Sequence, residues 1–215
     1  MTSTVRPPRR SSPLWARWID TAELRARQWG FITSGQCGRL GLDLTQQKRL
    51  RLRGMLKAVA YGVMRELDRT DDEGVLADAR LGWVNAGKDL FPEERLAAGW
   101  PDYVVTATTA LAIHGLAEPA GELPQLAHTR ARWPRYQLST ADVITVEVPV
   151  TWDEVSLLDG LPVATPATAI ATLVSTEPPL VDDLASYLDT VAAAATERPD
   201  LRKIVQAIAK CNASP

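Results

Sequence analysis

The chain is poor in the residues that build most catalytic and metal centres. Among 215 residues there are two cysteines, Cys37 and Cys211, and two histidines, His114 and His128. Two thiols so far apart in sequence give neither a disulfide framework nor a metal-ligand spacing. They read as reduced, buried or half-buried groups, which suits a cytoplasmic protein. No run approaches the ~20 consecutive apolar residues that span a bilayer, so no membrane partner is expected. The N-terminal MTSTVRPPRRSSP is basic and rich in Pro and Ser. It lacks the apolar centre of a secretory leader and reads as a mobile arm.

Phosphate-binding signatures are missing as well. There is no Gly-rich loop of the Walker type and no Rossmann fingerprint. Neither histidine adjoins a nucleophile motif. His114 ends an Ala-rich helix and reads as a cap or core residue, and His128 falls on a strand. Asp142 and Glu147 have the strand placement of a nuclease pair, but Glu147-Val148-Pro149 lacks the lysine such a centre wants. No catalytic constellation assembles, so the chain reads as a non-enzyme without a cofactor. No repeat at solenoid period occurs. Asp71, Asp72, Asp182 and Asp183 read as solvated charges.

What is present is ordinary globular material with an uneven charge. Hydrophobic residues make up 46% and charged residues 23%, enough apolar content for a real core. The net charge of −2 conceals a division. Residues 1–69 carry 14 basic and 5 acidic side chains, whereas residues 70–215 carry 10 and 21. A basic first third suits a polyanion, and the acidic remainder would be repelled by one.

The basic third has a legible order. Trp15, Trp18, Ile19, Ala22, Ala26 and Trp29 recur at helical spacing, and Gly30 ends that helix. Thr33 or Ser34 caps a short second helix through Gln36, Cys37 and Leu40. After Gly41, Asp43 or Thr45 caps a third helix bearing Gln46, Gln47, Lys48, Arg49, Arg51 and Arg53, stopped by Gly54. Residues 55–60 and 63–67 then read as strands joined at Tyr61-Gly62. Three helices and a hairpin is the plan of a winged helix-turn-helix, whose third helix enters the major groove. The candidate DNA-binding residues are therefore Thr33, Ser34, Gln46, Gln47, Lys48, Arg49, Arg51, Arg53, Lys57 and Tyr61. Gln can read adenine edges and Arg guanine edges, while Lys57 and Tyr61 on the wing reach phosphate. Tyr61 reads equally well as a packing residue.

The polar stretch 68–74 is the best boundary. Four segments follow: a basic arm (1–14), the winged helix-turn-helix (15–69), a linker with one or two short helices (70–100) and a mixed domain (101–215). In the last, Tyr103-Val104-Val105 reads as a strand and Thr106 as the cap of a helix, Ala107 to His114, closed by Gly115. Residues 123–129 and 136–150 hold strand-like runs. Asp159-Gly160 is a tight turn before a strand over 161–164. Thr165-Pro166 opens a helix to about Val174, and helices are expected over 181–196 and 199–211. The fold class is α+β: an N-terminal winged helix-turn-helix followed by a mixed α+β C-terminal domain.

Two groups of residues carry a family resemblance. One is QWGFITSGQCGRLGLDL with RGMLKAVAYGVM. The other is VVTATTALAIHGLAE followed by DGLPVATPATAIATLV. Together they resemble the AbiEi family of antitoxins over most of residues 16–195. The resemblance lies in Gly30–Thr33, Gly54-Met55-Leu56 and Tyr61-Gly62-Val63, then in Ala110, His114, Gly115 and Leu116, and in Asp159–Val163 with Thr165 and Pro166. The chain departs from the family at Thr106-Ala107, where Ser-His is common, and at Thr168, Ala169 and Thr172, where Arg-Thr-x-x-Asp is common. Thr106 and Thr165 therefore read as helix caps. The resemblance implies an antitoxin that represses its own operon by binding inverted repeats in promoter DNA. It implies further that the C-terminal domain neutralises a cognate nucleotidyltransferase-like toxin, directly or indirectly. The alternative reading is a ligand-responsive winged-helix transcription regulator, with a pocket lined by Trp100, Trp133 and Trp152.

Overall fold

The computed structural model describes residues 13–67, 74–128, 143–176 and 179–195. These residues form an α+β fold of two compact units, one within 1–73 together with 80–99, the other comprising 74–79 and those from 100 onward. Among the described residues no helix is long and apolar enough to cross a membrane. The N-terminal arm apart from Pro13-Leu14, Asp71, Asp72, Trp133, Asp142, Cys211 and the helix expected over 199–211 lie outside the described residues.

The first unit opens with α1 (Pro13–Asp20) and α2 (Ala22–Arg27), where the sequence predicts one helix. Thr21 explains the break. Its buried hydroxyl donates to the Trp18 carbonyl at 2.8 Å, and the Arg25 guanidinium donates to the same oxygen at 2.9 Å. A carbonyl held by two side chains is a poor acceptor for the next helical N–H, and back-bonding of this kind bends helices. Trp29 and Gly30 then turn the chain with φ of 54° and 86°.

Phe31–Thr33 forms β1, a strand that local sequence does not announce. It pairs antiparallel with β3 (Val63–Glu66), which pairs antiparallel with β2 (Leu56–Ala60). The expected hairpin is thus present, and β1 completes a three-stranded sheet in the order β1-β3-β2. Between β1 and β2 lie α3 (Ser34–Arg39) and α4 (Leu44–Leu52). Both open with a reciprocal cap, Thr33 with Gln36 and Asp43 with Gln46. Trp18, Leu24, Ile32, Cys37, Leu42, Leu50, Leu56 and Met64 fill the core beneath them.

Residues 80–99, which the sequence suggests are linker, belong to this unit. They comprise most of α5 (Val75–Ala86), a turn, and α6 (Pro92–Leu96). Aromatic and guanidinium groups fasten them. Trp29 stands edge-on to Trp83 at 6.0 Å, Arg80 lies over Trp29 at 5.0 Å, and Arg95 lies over Trp83 at 3.5 Å. Such contacts add to the large apolar area these rings bury. The Arg95 guanidinium also donates to the Trp83 carbonyl at 2.7 Å.

The second unit holds a five-stranded mixed sheet. Its strands are β4 (Tyr103–Val105), β5 (Gln125–His128), β6 (Ile144–Glu147), β7 (Val155–Leu158) and β8 (Leu161–Ala164). Their order is β6-β5-β4-β8-β7, with β4 parallel to β8 and β5 parallel to β6. Asp159 and Gly160, both at positive φ, make the two-residue turn between β7 and β8. Helix α7 (Ala107–Ile113) packs on α8 (Pro166–Ser175), and α9 (Leu184–Ala194) follows.

The Thr caps divide. The Thr165 hydroxyl accepts from the Thr168 N–H and caps α8. Thr106 makes no side-chain cap bond to α7. Ala107 sits at φ 48°, and the N–H of Thr108, in the first turn of the helix, is taken at 2.8 Å by the Gln125 side chain from β5. The cap is therefore supplied across the sheet. Asp183, read in the sequence as a solvated charge, accepts the Ser186 N–H at 3.0 Å and caps α9.

Candidate nucleic-acid interface

Helix α4 owes its orientation to a short buried face. Leu50 and Gln47, three residues apart, turn inward together with Leu42 just before the helix. Everything else on the helix then faces outward or sideways. Leu44, Lys48 and Arg51, at spacings of four and three, share one side and line a groove of about 340 Å³ against Ala58, Ala60 and Gly62 of the hairpin. Arg49 and Arg53 are exposed on the other shoulder. From Leu44 to Arg65 the chain carries six lysines and arginines and no aspartate or glutamate. Five of them, Lys48, Arg49, Arg51, Arg53 and Lys57, are exposed, whereas Arg65 is half-buried with its guanidinium over the Phe31 ring.

The structure separates the ten candidates. Lys48, Arg49, Arg51, Arg53 and Lys57 are exposed, and Tyr61 is 86% exposed at the hairpin tip. That exposure decides against Tyr61 as a packing residue. Ser34 is half-buried on the groove floor, where its N–H donates to the Gly62 carbonyl at 2.8 Å and ties α3 to the hairpin.

Three candidates are occupied by the protein itself. Thr33 is buried; its hydroxyl accepts the Gln36 N–H and donates to the Lys88 carbonyl, so it cannot reach a ligand. Gln47 is 4% exposed and donates to the Leu42 carbonyl at 2.9 Å. Its removal from the base-reading set follows from its place on the inward face. Gln46 is half-buried, and its side-chain oxygen accepts the Asp43 N–H at 3.0 Å.

Two residues escaped the sequence reading. Lys88 comes from the segment taken for linker, and its ammonium lies 5.2 Å above the Tyr61 ring. Nothing in its local sequence signals this, because the contact is made by the fold. Leu44 is apolar yet 74% exposed. It does carry a signal, since a helical period drawn through Leu50 leaves Leu44 and Leu52 off the buried face.

Electrostatics inside the unit are structural. Burial lowers the Arg25 guanidinium from its ordinary value, opposed by Glu66, whose carboxylate lies 3.4 Å away. Burial pushes the Cys37 thiol up to about 12, with Arg25 acting weakly the other way. On the surface, Arg39 grips Glu94 through two bonds of 2.6 and 2.5 Å and holds its carboxyl down to about 2.

In the second unit His114 ends α7, and its Nε2 lies 2.9 Å from the Ala164 carbonyl. The two segments that carry the family resemblance there, around His114 and around Asp159–Pro166, are thereby joined. Glu147 is exposed on β6. Trp100 is half exposed. Among the described residues no group of three or more His, Cys, Asp and Glu side chains is placed to hold a metal ion.

No protein-family model and no curated protein matches this chain. Among solved structures it is similar to the RV2827C protein of Mycobacterium tuberculosis, known from a crystal structure. The identity is 14%, the match covers 100% of this chain and 82% of that one, and the TM-score is 0.49.

Proposed function

We propose that this chain is a DNA-binding antitoxin: its N-terminal unit is a winged helix that binds and represses its own promoter, and its second unit neutralises a nucleotidyltransferase-like toxin. The observation that carries the DNA-binding half is the surface of α4 and the hairpin, where five exposed cations and no carboxylate fall between Asp43 and Glu66. A duplex is the partner that such a surface suits, because neutralising phosphates releases bound counterions. Lys48 and Arg51 line the groove wall, and Lys57 and Tyr61 stand on the hairpin as a wing. The antitoxin half rests on the resemblance, which is strongest where α7 and α8 pack together and His114 meets Ala164.

The test uses the full chain. A mobility-shift titration against the DNA upstream of its own coding sequence, repeated at rising salt, should give binding that weakens by about 0.9 log units per log of salt for each phosphate neutralised. Co-expression with the product of the adjacent reading frame should restore growth of cells that the product alone arrests. Salt-independent or absent DNA binding would remove the first half of the proposal, and failure to protect would remove the second.

A further inference from the structure

How α4 could read sequence depends on which of its side chains can leave the protein. The two amides that the sequence nominates as adenine readers are engaged at home, Gln47 with the Leu42 carbonyl and Gln46 with the Asp43 N–H. What projects instead is cationic, apart from Thr45 and two leucines. Leu44 is the first residue of the helix and Leu52 the last, and Leu52 is 78% exposed. A lone exposed leucine needs no explanation. The surroundings of Leu44 are another matter. It shares the groove wall with Lys48 and Arg51, opposite Ala58 and Ala60, and no carboxylate is among the described residues that line that groove.

An apolar side chain set among cations matches a polyanion that has one apolar feature on the surface it offers. The major groove of B-DNA has such a feature, the C5-methyl group of thymine. Recognition helices bring the residues of their first turn to the base edges, and their last turn lies farther from the bases. We infer that Leu44 is a specificity-determining residue that packs against a thymine methyl group. This rests on the DNA-binding reading above and goes beyond it by naming the base and the group recognised. Leu52, equally exposed but at the far end of α4, has no such role.

The experiment uses the full chain and a duplex that it enriches from a random pool. Each thymidine is replaced in turn by deoxyuridine, which deletes the methyl and keeps every hydrogen-bonding group. At one or more positions the natural chain should bind about fourfold more weakly, the effect of one methyl-sized group left unburied. Leu44→Ala should bind thymidine and deoxyuridine duplexes alike at that position. Leu44→Met and Leu52→Ala should keep the preference. The inference falls if every replacement is tolerated, if Leu44→Ala keeps the preference, if Leu52→Ala loses it, or if no sequence is enriched. In each of those cases salt-dependent binding still stands and the DNA-binding reading survives. Absence of any binding would instead remove the reading on which the inference rests.

Discussion

The side-chain amides of Gln28 and Gln36 face each other inside the first unit, each donating to the other's oxygen at 2.9 and 2.8 Å. Gln36 does more than pair. It also accepts the Thr33 N–H at 3.0 Å and donates to the Leu90 carbonyl at 2.6 Å. One buried side chain thus joins α2, β1, α3 and the segment before α6. Replacing it strands several partners at once, whereas replacing Gln28 strands fewer. Gln36→Leu should destabilise the unit by about 3 kcal/mol and Gln28→Leu by about 1–2 kcal/mol. The double variant should cost less than the two added together, because each single change leaves the other amide unpaired. Urea unfolding followed by tryptophan fluorescence measures this, and strictly additive costs would show that the pair is not coupled.

Along α4 the inward and outward faces should behave differently. Lys48→Ala and Arg51→Ala are expected to weaken DNA binding and to make its salt dependence shallower by about 0.9 for each phosphate left without its cation. Neither touches the core, so the melting temperature should hardly move. Gln47→Ala should do the reverse, lowering stability by about 1–2 kcal/mol because its bond to Leu42 is gone. Its effect on a binding isotherm for folded protein should be small. A melting series and a titration on the same three variants would separate these roles, and a normal melting curve for Gln47→Ala would show that its amide is not needed in the fold.

The Arg39–Glu94 pair predicts a particular acid sensitivity. The ordinary value for such a carboxyl is 4.5, and here it is held near 2, first by the Arg39 bonds and next by the Phe91 N–H. A carboxyl depressed in the folded state stabilises fully above its unfolded value and loses that contribution as pH falls through the folded one. The loss should therefore run from about pH 4.5 down towards 2. Both side chains are over a third exposed, so solvent and salt screen the pair and the effect is modest. Glu94→Gln keeps an acceptor for Phe91 and discards the charge. Its melting temperature should fall less steeply with acid than that of the natural chain. Identical slopes would mean that the pair carries no linkage.

Cys37 should be chemically silent in the folded protein. It is fully buried, and burial raises the thiol to about 12, so almost no thiolate exists at neutral pH. In a Cys211→Ser background, iodoacetamide should label Cys37 only as fast as the first unit opens, and denaturant should accelerate the reaction by orders of magnitude. Rapid labelling of native protein would contradict its burial.

Much of this architecture could be read from local chemistry. The caps at Asp43 and Thr165, the turns at Gly62 and Asp159-Gly160, and the alternation through Ile144–Glu147 each act within a few residues, so each leaves a sequence signature. What escaped is what two distant segments do together. Nothing near Thr106 says that Gln125, on a neighbouring strand, will cap α7. Nothing in residues 80–99 says that Trp83 and Arg95 will close the core beside Trp29. The inward turn of Gln47 has a different cause. Gln47 stood out by residue type, although its three-residue spacing from Leu50 already marks it as inward-facing. The cations lie at the surface, as long charged side chains do with little regard to packing.

The first unit is not one continuous stretch of chain, and this shapes how it can be made. Its sheet and its first four helices are complete by Glu66, yet the edge of Trp29, the amide of Gln36 and the hydroxyl of Thr33 all wait for groups between Arg80 and Arg95. On a ribosome adding residues in order, residues 74–79, which belong to the other unit, emerge before the first can close. N-terminal domains ordinarily fold first and alone during synthesis. A chain ending at Glu66 lacks the groups that Trp29, Thr33 and Gln36 meet in the folded unit, so this unit can close only after the first residues of its neighbour have been added.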